Sequence, residues 1–511
     1  MQNISTFLLL CFFLFACSKR IESEKSDLDH VASISLDEEV MDGKTLTDAY
    51  CGACHLKPDP ALLDKATWRN SVLPDMRRRM GLITEEDFGH AVGADIDAPE
   101  GVYAKQALIS LSEWKVMESY YLENSPESLP GNGLDFQSIK EAENWKIKVP
   151  KTGKQRPNFT TFLRWEAEEG VLYFGDRFRQ VFKADVLRND LKDSIRISSP
   201  ASDIYFYGKD RFDLLTTGVM DPSNTSIGKL ESYSNFSDKR VSPVLDSLTR
   251  PVHFVYEDLN QDGRQDIVIS EFGHHVGQLV WYEQKESGYI KRYFNNRPGA
   301  RKATIEDING DGLPDVIALM TQAYEGVYVY LNQGKGKFRE EKWLGFQPLF
   351  GASDMFFEDM DGDGYKDIIL VSGDNADLSI IPKPYHGVRI YKNDGQNKFT
   401  ESYFQPFHGA SALLVEDFNL NGRLDLAVLS YFPERENGQR NNFLYLENAG
   451  SLNFDIYKKD DLGKYNLMTM DAADISGNGK KDLILGCFDF STSRAFPMGD
   501  WVPYVYLENN F

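Results

Sequence analysis

The sequence predicts an all-β seven-bladed propeller preceded by a small all-α segment. Three observations predict it. A nine-residue acidic phrase recurs at 258, 307, 359, 417 and 474, so that successive copies start 49, 52, 58 and 57 residues apart, a spacing suited to blade-like repeats. Each copy runs into an apolar β-type segment, in order IVIS, VIAL, IILV, LAVL and LILG. Helical periodicity is confined to the region before Pro126 and Pro130, after which short strand-like runs take over.

The phrase reads DLNQDGRQD at 258–266, DINGDGLPD at 307–315, DMDGDGYKD at 359–367, DFNLNGRLD at 417–425 and DISGNGKKD at 474–482. Asp or Asn at positions 1, 3, 5 and 9, with Gly at 6, converges hard oxygen ligands on one point and turns the chain where Gly is cheapest. The unit reads as a calcium loop opening a strand. The plainer reading is a set of Asx turns that need no metal. No Glu falls at position 12 and no helix follows, so an EF-hand is excluded. The loops also explain the composition. The chain has 511 residues and a formal charge of −22, and the five loops alone hold 14 Asp. A net charge of that sign ordinarily means poor nucleic-acid binding, but here the acidity reads as mostly metal sites rather than as repulsion of anionic partners. An apolar content of 41 % with 13 % aromatic residues is ample for a core.

The N-terminus carries an apolar run at 7–16, too short to span a bilayer and of signal-peptide length, although no Lys or Arg precedes it. It ends in Leu14-Phe15-Ala16-Cys17, which resembles a bacterial lipoprotein box. That resemblance implies a signal peptide over 1–17, lipid on Cys17, a flexible tether over 18–45, and attachment to the cell envelope. Ser18 after Cys17 fits sorting to the outer membrane. Of five Cys, Cys11 leaves with the signal and Cys487 reads as a small buried hydrophobe on its strand.

Cys51-Gly-Ala-Cys54-His55 is a c-type haem attachment sequence. Two thiols three residues apart reach both vinyl groups of one porphyrin, and the adjacent His is carried to the iron. Leu46–Tyr50 reads as the end of a first helix, and the two prolines after His55 as a stiff turn. A second axial ligand is needed, and a thioether would raise the potential. Met76, after an expected Leu73-Pro74 bend, and Met80 share a helical face; Met117 and His90 are alternatives. Thr84 opens a short helix with Glu86 and Asp87 in its first turn, and a last helix over 107–124 takes its N-cap near Ser112. The region 46–130 resembles the small monohaem cytochrome c domains fused to other modules in bacterial exported proteins. The resemblance implies one covalent haem c held by Cys51 and Cys54, with His55 proximal and Met76 distal.

Beyond it, 131–157 reads as a linker, and seven units follow at about 158–198, 199–249, 250–297, 298–350, 351–407, 408–464 and 465–511. The first two lack the acidic loop; the phrase 207–215 keeps only its Gly and final Asp. The chain stops just after the last strand, so the outer strand of the seventh unit is expected from the start of the ring, at 145–149. The Asp loops and the Tyr-Leu-x-Asn strand ends resemble the FG-GAP/VCBS repeats of integrin-like propellers over 158–511. The resemblance implies three to five calcium ions and use as a binding or scaffold surface. The implied ligand sets are Asp258, Asn260, Asp262 and Asp266; Asp307, Asn309, Asp311 and Asp315; Asp359, Asp361, Asp363 and Asp367; Asp417, Asn419, Asn421 and Asp425; and Asp474, Ser476, Asn478 and Asp482. Fewer carboxylates weaken the last two sets.

No catalytic constellation emerges. His253, His274, His275, His386 and His408 could meet at the propeller axis around a metal or a quinone, or be unconnected. The reading is therefore an electron carrier rather than a catalyst: a membrane-anchored cytochrome whose propeller docks a redox or surface protein. A surface scaffold with an auxiliary haem, and a redox enzyme with a second centre elsewhere, are the alternatives. The sequence gives no oligomeric state.

Overall fold

The computed structural model describes residues 41–53, 55–83, 98–131, 134–209, 211–236, 241–374, 379, 381–436, 439–489 and 499–511. The signal sequence, Cys17, most of the tether, Cys54, His90, the helix expected at Thr84 and Asp210 lie outside them. No helix among the described residues is long and apolar enough to cross a membrane.

Among the described residues seven four-stranded antiparallel sheets follow one another in chain order, one of them gaining a fifth strand in parallel, and a two-stranded sheet of Arg435–Glu436 with Gln439–Arg440 stands beside them. The first strand of each of the seven touches the first strand of the next, and Leu467–Ala473 of the last returns to Thr160–Glu166 of the first. This is a closed seven-bladed β-propeller with first strands at the axis. The second strand of every blade is buried along its whole length, as in Asp266–Glu271 and Asp367–Ser372. Both of its faces meet a neighbouring blade, so it reads as an unbroken apolar run rather than an alternation. The core is thus a set of inter-blade layers. One holds Val268, Trp281, Val316 and Tyr330; another holds Ile369, Ile390, Leu413 and Val428. Each fully buried aliphatic side chain contributes about 1.5–3 kcal/mol.

Blade 7 is completed from upstream. Trp145–Lys148 pairs antiparallel with Tyr504–Asn509 as its outer strand. Just before it, Lys140–Glu141 pairs in parallel with the outer strand of blade 6. The segment between the helices and the ring is therefore a strap across two blades. Trp145 anchors it at 1 % exposure, edge-on to Phe418, Tyr445 and Phe511.

First strands at the axis have one edge without a sheet neighbour, and side chains of adjacent blades cover part of it. The Trp165 N–H donates to Asp471 Oδ2 at 2.7 Å, Phe254 N–H to Asp203 Oδ2 at 3.4 Å, and Leu413 N–H to Asp354 Oδ2 at 3.2 Å. Arg164 bridges Asp203 at 3.5 Å and Asp471 at 3.7 Å, and Lys302 reaches Asp354 at 2.8 Å. Asp471 thereby ties the last blade to the first. Breaking a buried, hydrogen-bonded carboxylate costs on the order of 3 kcal/mol. We expect Asp471→Ala to lower the urea midpoint by a corresponding amount with an unchanged m-value; an unchanged midpoint would mean that this contact does not hold the ring closed.

Upstream lie α1 (Gly43–Tyr50), α2 (Lys65–Thr67), a π-helical turn (Trp68–Val72), α3 (Leu73–Arg79) and α4 (Leu111–Asn124). The expected bend at Leu73-Pro74 is not a break. Pro74 sits in the first turn of α3, and the π turn before it accommodates the missing N–H. The cap of α4 is Ser110 rather than Ser112: the Ser110 hydroxyl accepts the Glu113 N–H, and the Glu113 carboxylate accepts the Ser110 N–H. Leu46, Leu63, Trp68, Val72, Leu73, Trp114, Met117 and Tyr121 form one core. Helices and propeller make a single compact unit over Asp42–Phe511.

Candidate functional site

The five Asp loops share one hydrogen-bond pattern, lying between the first and second strands of blades 3 to 7. The position-1 carboxylate accepts the N–H of Gly at position 6: Gly263 to Asp258 at 2.8 Å, Gly312 to Asp307 at 2.9 Å, Gly364 to Asp359 at 2.9 Å, Gly422 to Asp417 at 2.8 Å, and Gly479 to Asp474 at 3.0 Å. These glycines take φ between 81° and 90°, as Gly312 and Gly364 show, which is why no other residue type stands there. Position 5 accepts the N–H of position 7, as in Tyr365 to Asp363 at 2.9 Å and Lys480 to Asn478 at 2.9 Å. Position 3 turns toward position 5 in four copies, through Asn260, Asn309, Asp361 and Asn419.

Position 9 is different. Asp266, Asp315, Asp367, Asp425 and Asp482 are all fully buried beneath their loops. One oxygen accepts the N–H of position 2, as in Leu259 to Asp266 at 3.2 Å and Met360 to Asp367 at 3.2 Å. The other accepts an N–H from the third strand: Gln284 at 2.8 Å, Asn332 at 2.6 Å, Asn393 at 2.9 Å, Asn448 at 2.8 Å and Asn509 at 2.7 Å, respectively. Burial pushes Asp266, Asp367 and Asp425 up to about 6 and raises Asp315 as well, against the pull of those N–H donors. The strand-end Asn adds a tie that sequence reading missed. Its side-chain amide reaches the preceding blade, Asn332 to Leu259 O at 2.8 Å, Asn448 to Met360 O at 3.2 Å and Asn509 to Phe418 O at 2.7 Å. The recurring Tyr-Leu-x-Asn ending was the signal.

Among the described residues, one acidic group draws its ligand atoms together, Asp359, Asp361 and Asp363, all within 4.8 Å of one another. Asp367 stands apart from it, below the turn. The ammonium of Lys392 lies against the group, hydrogen-bonded to Asp361 and 3.1 Å from Asp363. The other loops put Asn or Ser at one or both of the positions where this one has Asp361 and Asp363. Between the loops of blades 3 and 4 runs a cleft of about 490 Å³ bordered by Glu257, Asp258, Glu306 and Asp307. The two roles separate experimentally. Asp367→Asn removes a buried charge partnered to two strands and should cost about 1–3 kcal/mol with or without chelator. Asp363→Asn should cost stability only when calcium is present, so that chelation erases the difference; equal losses in both conditions would mean that the loop does not hold the ion.

The helical segment gathers a second set. Cys51 caps α1, its N–H donating to Thr47 O, and is half-buried against the helical core together with Met76 and Met80. His55 is half-buried, and its Nδ1 lies 2.8 Å from Leu56 O. With a carbonyl as partner, Nδ1 must donate, which leaves Nε2 with its lone pair. The two prolines that follow are held by aromatic donors: Tyr121 OH to Pro58 O at 2.9 Å and Trp68 Nε1 to Pro60 O at 2.8 Å, the two rings 4.5 Å apart. Met117, at 1 % exposure, is core.

The histidines do not meet at the axis. His253 lies on a first strand, its Nδ1 3.5 Å from Ala303 N. His274 and His275 stack at 4.1 Å beside Arg79 and Tyr103. His386 and His408 are buried together where blade 5 meets blade 6, with His408 Nε2 3.4 Å from Glu434. Burial lowers His386 well below its ordinary value and brings His253 and His408 to about 4. Cys487 is buried at 1 % exposure, and burial raises its thiol well above the usual value. In 207–215, Asp213 is not a loop ligand but accepts the hydroxyls of Tyr207, at 2.9 Å, and Tyr256.

Two segments, 258–318 and 307–370, match the family model of the FG-GAP-like repeat, which spans the first three Asp loops. The chain is a seven-bladed β-propeller with an FG-GAP-like repeat region. No curated protein matches it. Among solved structures it is similar to the Pan2 WD40 domain of Neurospora crassa, at 9 % identity over 72 % of this chain and 96 % of that one, with a TM-score of 0.43.

Proposed function

We propose that the chain is a lipid-anchored electron-transfer protein whose propeller serves as a protein-docking module. The observation that carries this reading is the set at 51–55, in which a c-type attachment sequence caps a helix and is followed by a His whose Nδ1 is already committed to a carbonyl. Thiol, imidazole and thioether are the donor chemistry that a haem c takes, and the residues present fit it. Cys51 and Cys54 would hold the group covalently, His55 Nε2 would be the proximal ligand and Met76 the distal one. When bound, the haem supplies a one-electron couple. The chain's own residues do the rest: Trp68 and Tyr121 fix the turn after His55, and Met76 packs partly buried against the helical core. With both axial positions filled, no open position remains for substrate, which favours a carrier over a catalyst.

In this reading three to five calcium ions occupy the Asp loops, most firmly at Asp359, Asp361 and Asp363 where carboxylates are densest. Lipid on Cys17 holds the mature protein at the cell envelope, on the outer membrane, with a redox or surface protein as partner and no nucleic acid. The second reading, a scaffold with an auxiliary haem, rests on the propeller alone. The visible spectrum of the mature protein tests the axial pair: a low-spin c-type spectrum is expected, turning high-spin in Met76→Ala. A high-spin parent, or a variant with the parent spectrum, would overturn the assignment of His55 and Met76. A co-purifying oxidoreductase from native membranes favours the carrier over the scaffold.

A further inference from the structure

The helices sit on the propeller face opposite the Asp loops, because antiparallel blades send their second-to-third and blade-to-blade connections to that face. Leu349, between blades 4 and 5, packs into the helical core, and Tyr385 OH donates to Leu62 O at 3.2 Å. The third contact is the informative one. Arg79 Nη2 lies 3.2 Å from His275 Nδ1. A guanidinium has no acceptor, so Arg79 donates and His275 accepts as a neutral imidazole with its proton on Nε2. The Arg79 guanidinium also stands 5.8 Å from the Tyr103 ring, which lies 6.1 Å from the His275 ring.

His275 is held stiffly. Its N–H donates to Asn224 Oδ1 at 2.9 Å, from blade 2. Gly273 turns at φ 67°, where an added Cβ would fall 1.6 Å from Val276 O. Arg79 is equally constrained on its own side, with Nε 3.2 Å from Asp75. It is the last residue of α3 and lies one turn beyond Met76. A rigid propeller loop thus grips the end of the helix that carries the proposed distal ligand.

We propose that His275 is a positioning residue for the haem-binding segment, fixing α3 and through it the Met76 thioether. The inference rests on the haem reading of the segment. It gives blade 3 a role in the redox site that the Asp loops, on the far face, do not have. A charge-assisted hydrogen bond of this kind, once lost, changes a local opening equilibrium about ten-fold.

The test compares His275→Leu, which has no acceptor, with His275→Gln, whose side-chain carbonyl can accept from Arg79. Amide exchange across Leu73–Arg79 is read in the full chain. In the same samples, the haem spectrum and potential are read. His275→Leu is expected to speed exchange in α3 about ten-fold and to shift the thioether-ligation signature, and His275→Gln to restore both. Unchanged exchange and signature in His275→Leu, or failure of His275→Gln to restore them, would overturn the proposal. Absence of covalent haem from the parent protein would instead overturn the haem reading, while the exchange comparison would still decide whether His275 anchors α3.

Discussion

Trp145→Ala should unfold the ring from its seam, lowering stability by about 3–5 kcal/mol, the range for emptying a buried aromatic site. The strap that Trp145 anchors supplies the outer strand of blade 7 from outside its own repeat, pairing Trp145 with Asn509 and Lys148 with Tyr506. Its indole is packed against Phe418 and Tyr445 of blade 6 and Phe511 at the chain end, so one side chain joins three parts of the closure. Nε1 has no hydrogen-bond partner among the described residues, and Trp145→Phe therefore loses packing but no bond. We expect Trp145→Phe to cost less than half of Trp145→Ala. Equal losses would show that a phenyl ring recovers none of the indole's packing, and no loss in either would show that the strap does not close the ring.

The buried neutral histidines should make a destabilising contribution between about pH 6.5 and 4, opposed by Asp266, Asp367 and Asp425, whose values, raised to about 6, favour the folded state as pH falls. His253 and His408 have folded values of about 4 against an ordinary 6.5, and His386 is lowered well below it, in each case chiefly by burial. The unfolded chain binds protons first as pH falls, so the stability these neutral rings contribute is complete above about 6.5 and lost on the way to 4. For His408, with 4 % of its side chain exposed, the shift corresponds to about 3 kcal/mol. His253, a quarter exposed to the axial channel, contributes less. Urea midpoints of the parent and of His408→Gln, measured from pH 7.5 to 4.5, isolate the histidine: the parent should lose stability relative to the variant as pH falls. A difference between the two that does not change with pH would contradict the burial of His408 in neutral form.

Most of the ring was legible because its signals are local. A calcium-type phrase, an apolar run and a Tyr-Leu-x-Asn ending repeat within each blade, and strand-like runs at 161–165, 171–174 and 212–216 extend the count to seven without any acidic loop. What stayed hidden is non-local. Nothing at Asp471 or Asp203 announces that their carboxylates cover the N–H of the neighbouring blade, since the partner lies 306 residues away for Trp165 and Asp471. The division of labour inside the loop was also invisible: the phrase weights its four polar positions alike, and only burial separates Asp367 from Asp363. The histidines show the same limit. Five loop or strand positions left an axial cluster and unconnected histidines both open, and no axial cluster forms, because blades radiate and loops from blades 3 and 5 lie apart. His275 then gains its meaning from Arg79, 196 residues upstream. The attachment sequence is what singles out His55 as a proposed ligand, whereas the carbonyl that orients its ring was not legible, because any backbone can supply it.

The most direct test of the account is the covalent haem content of the mature full-length chain, produced in a host that attaches c-type haem. One haem per chain, retained after acid-acetone extraction and lost when Cys51 and Cys54 are both replaced by Ser, is the predicted result. A chain that matures and folds its propeller but carries no covalent haem would contradict it, and would leave the propeller as a scaffold on its own.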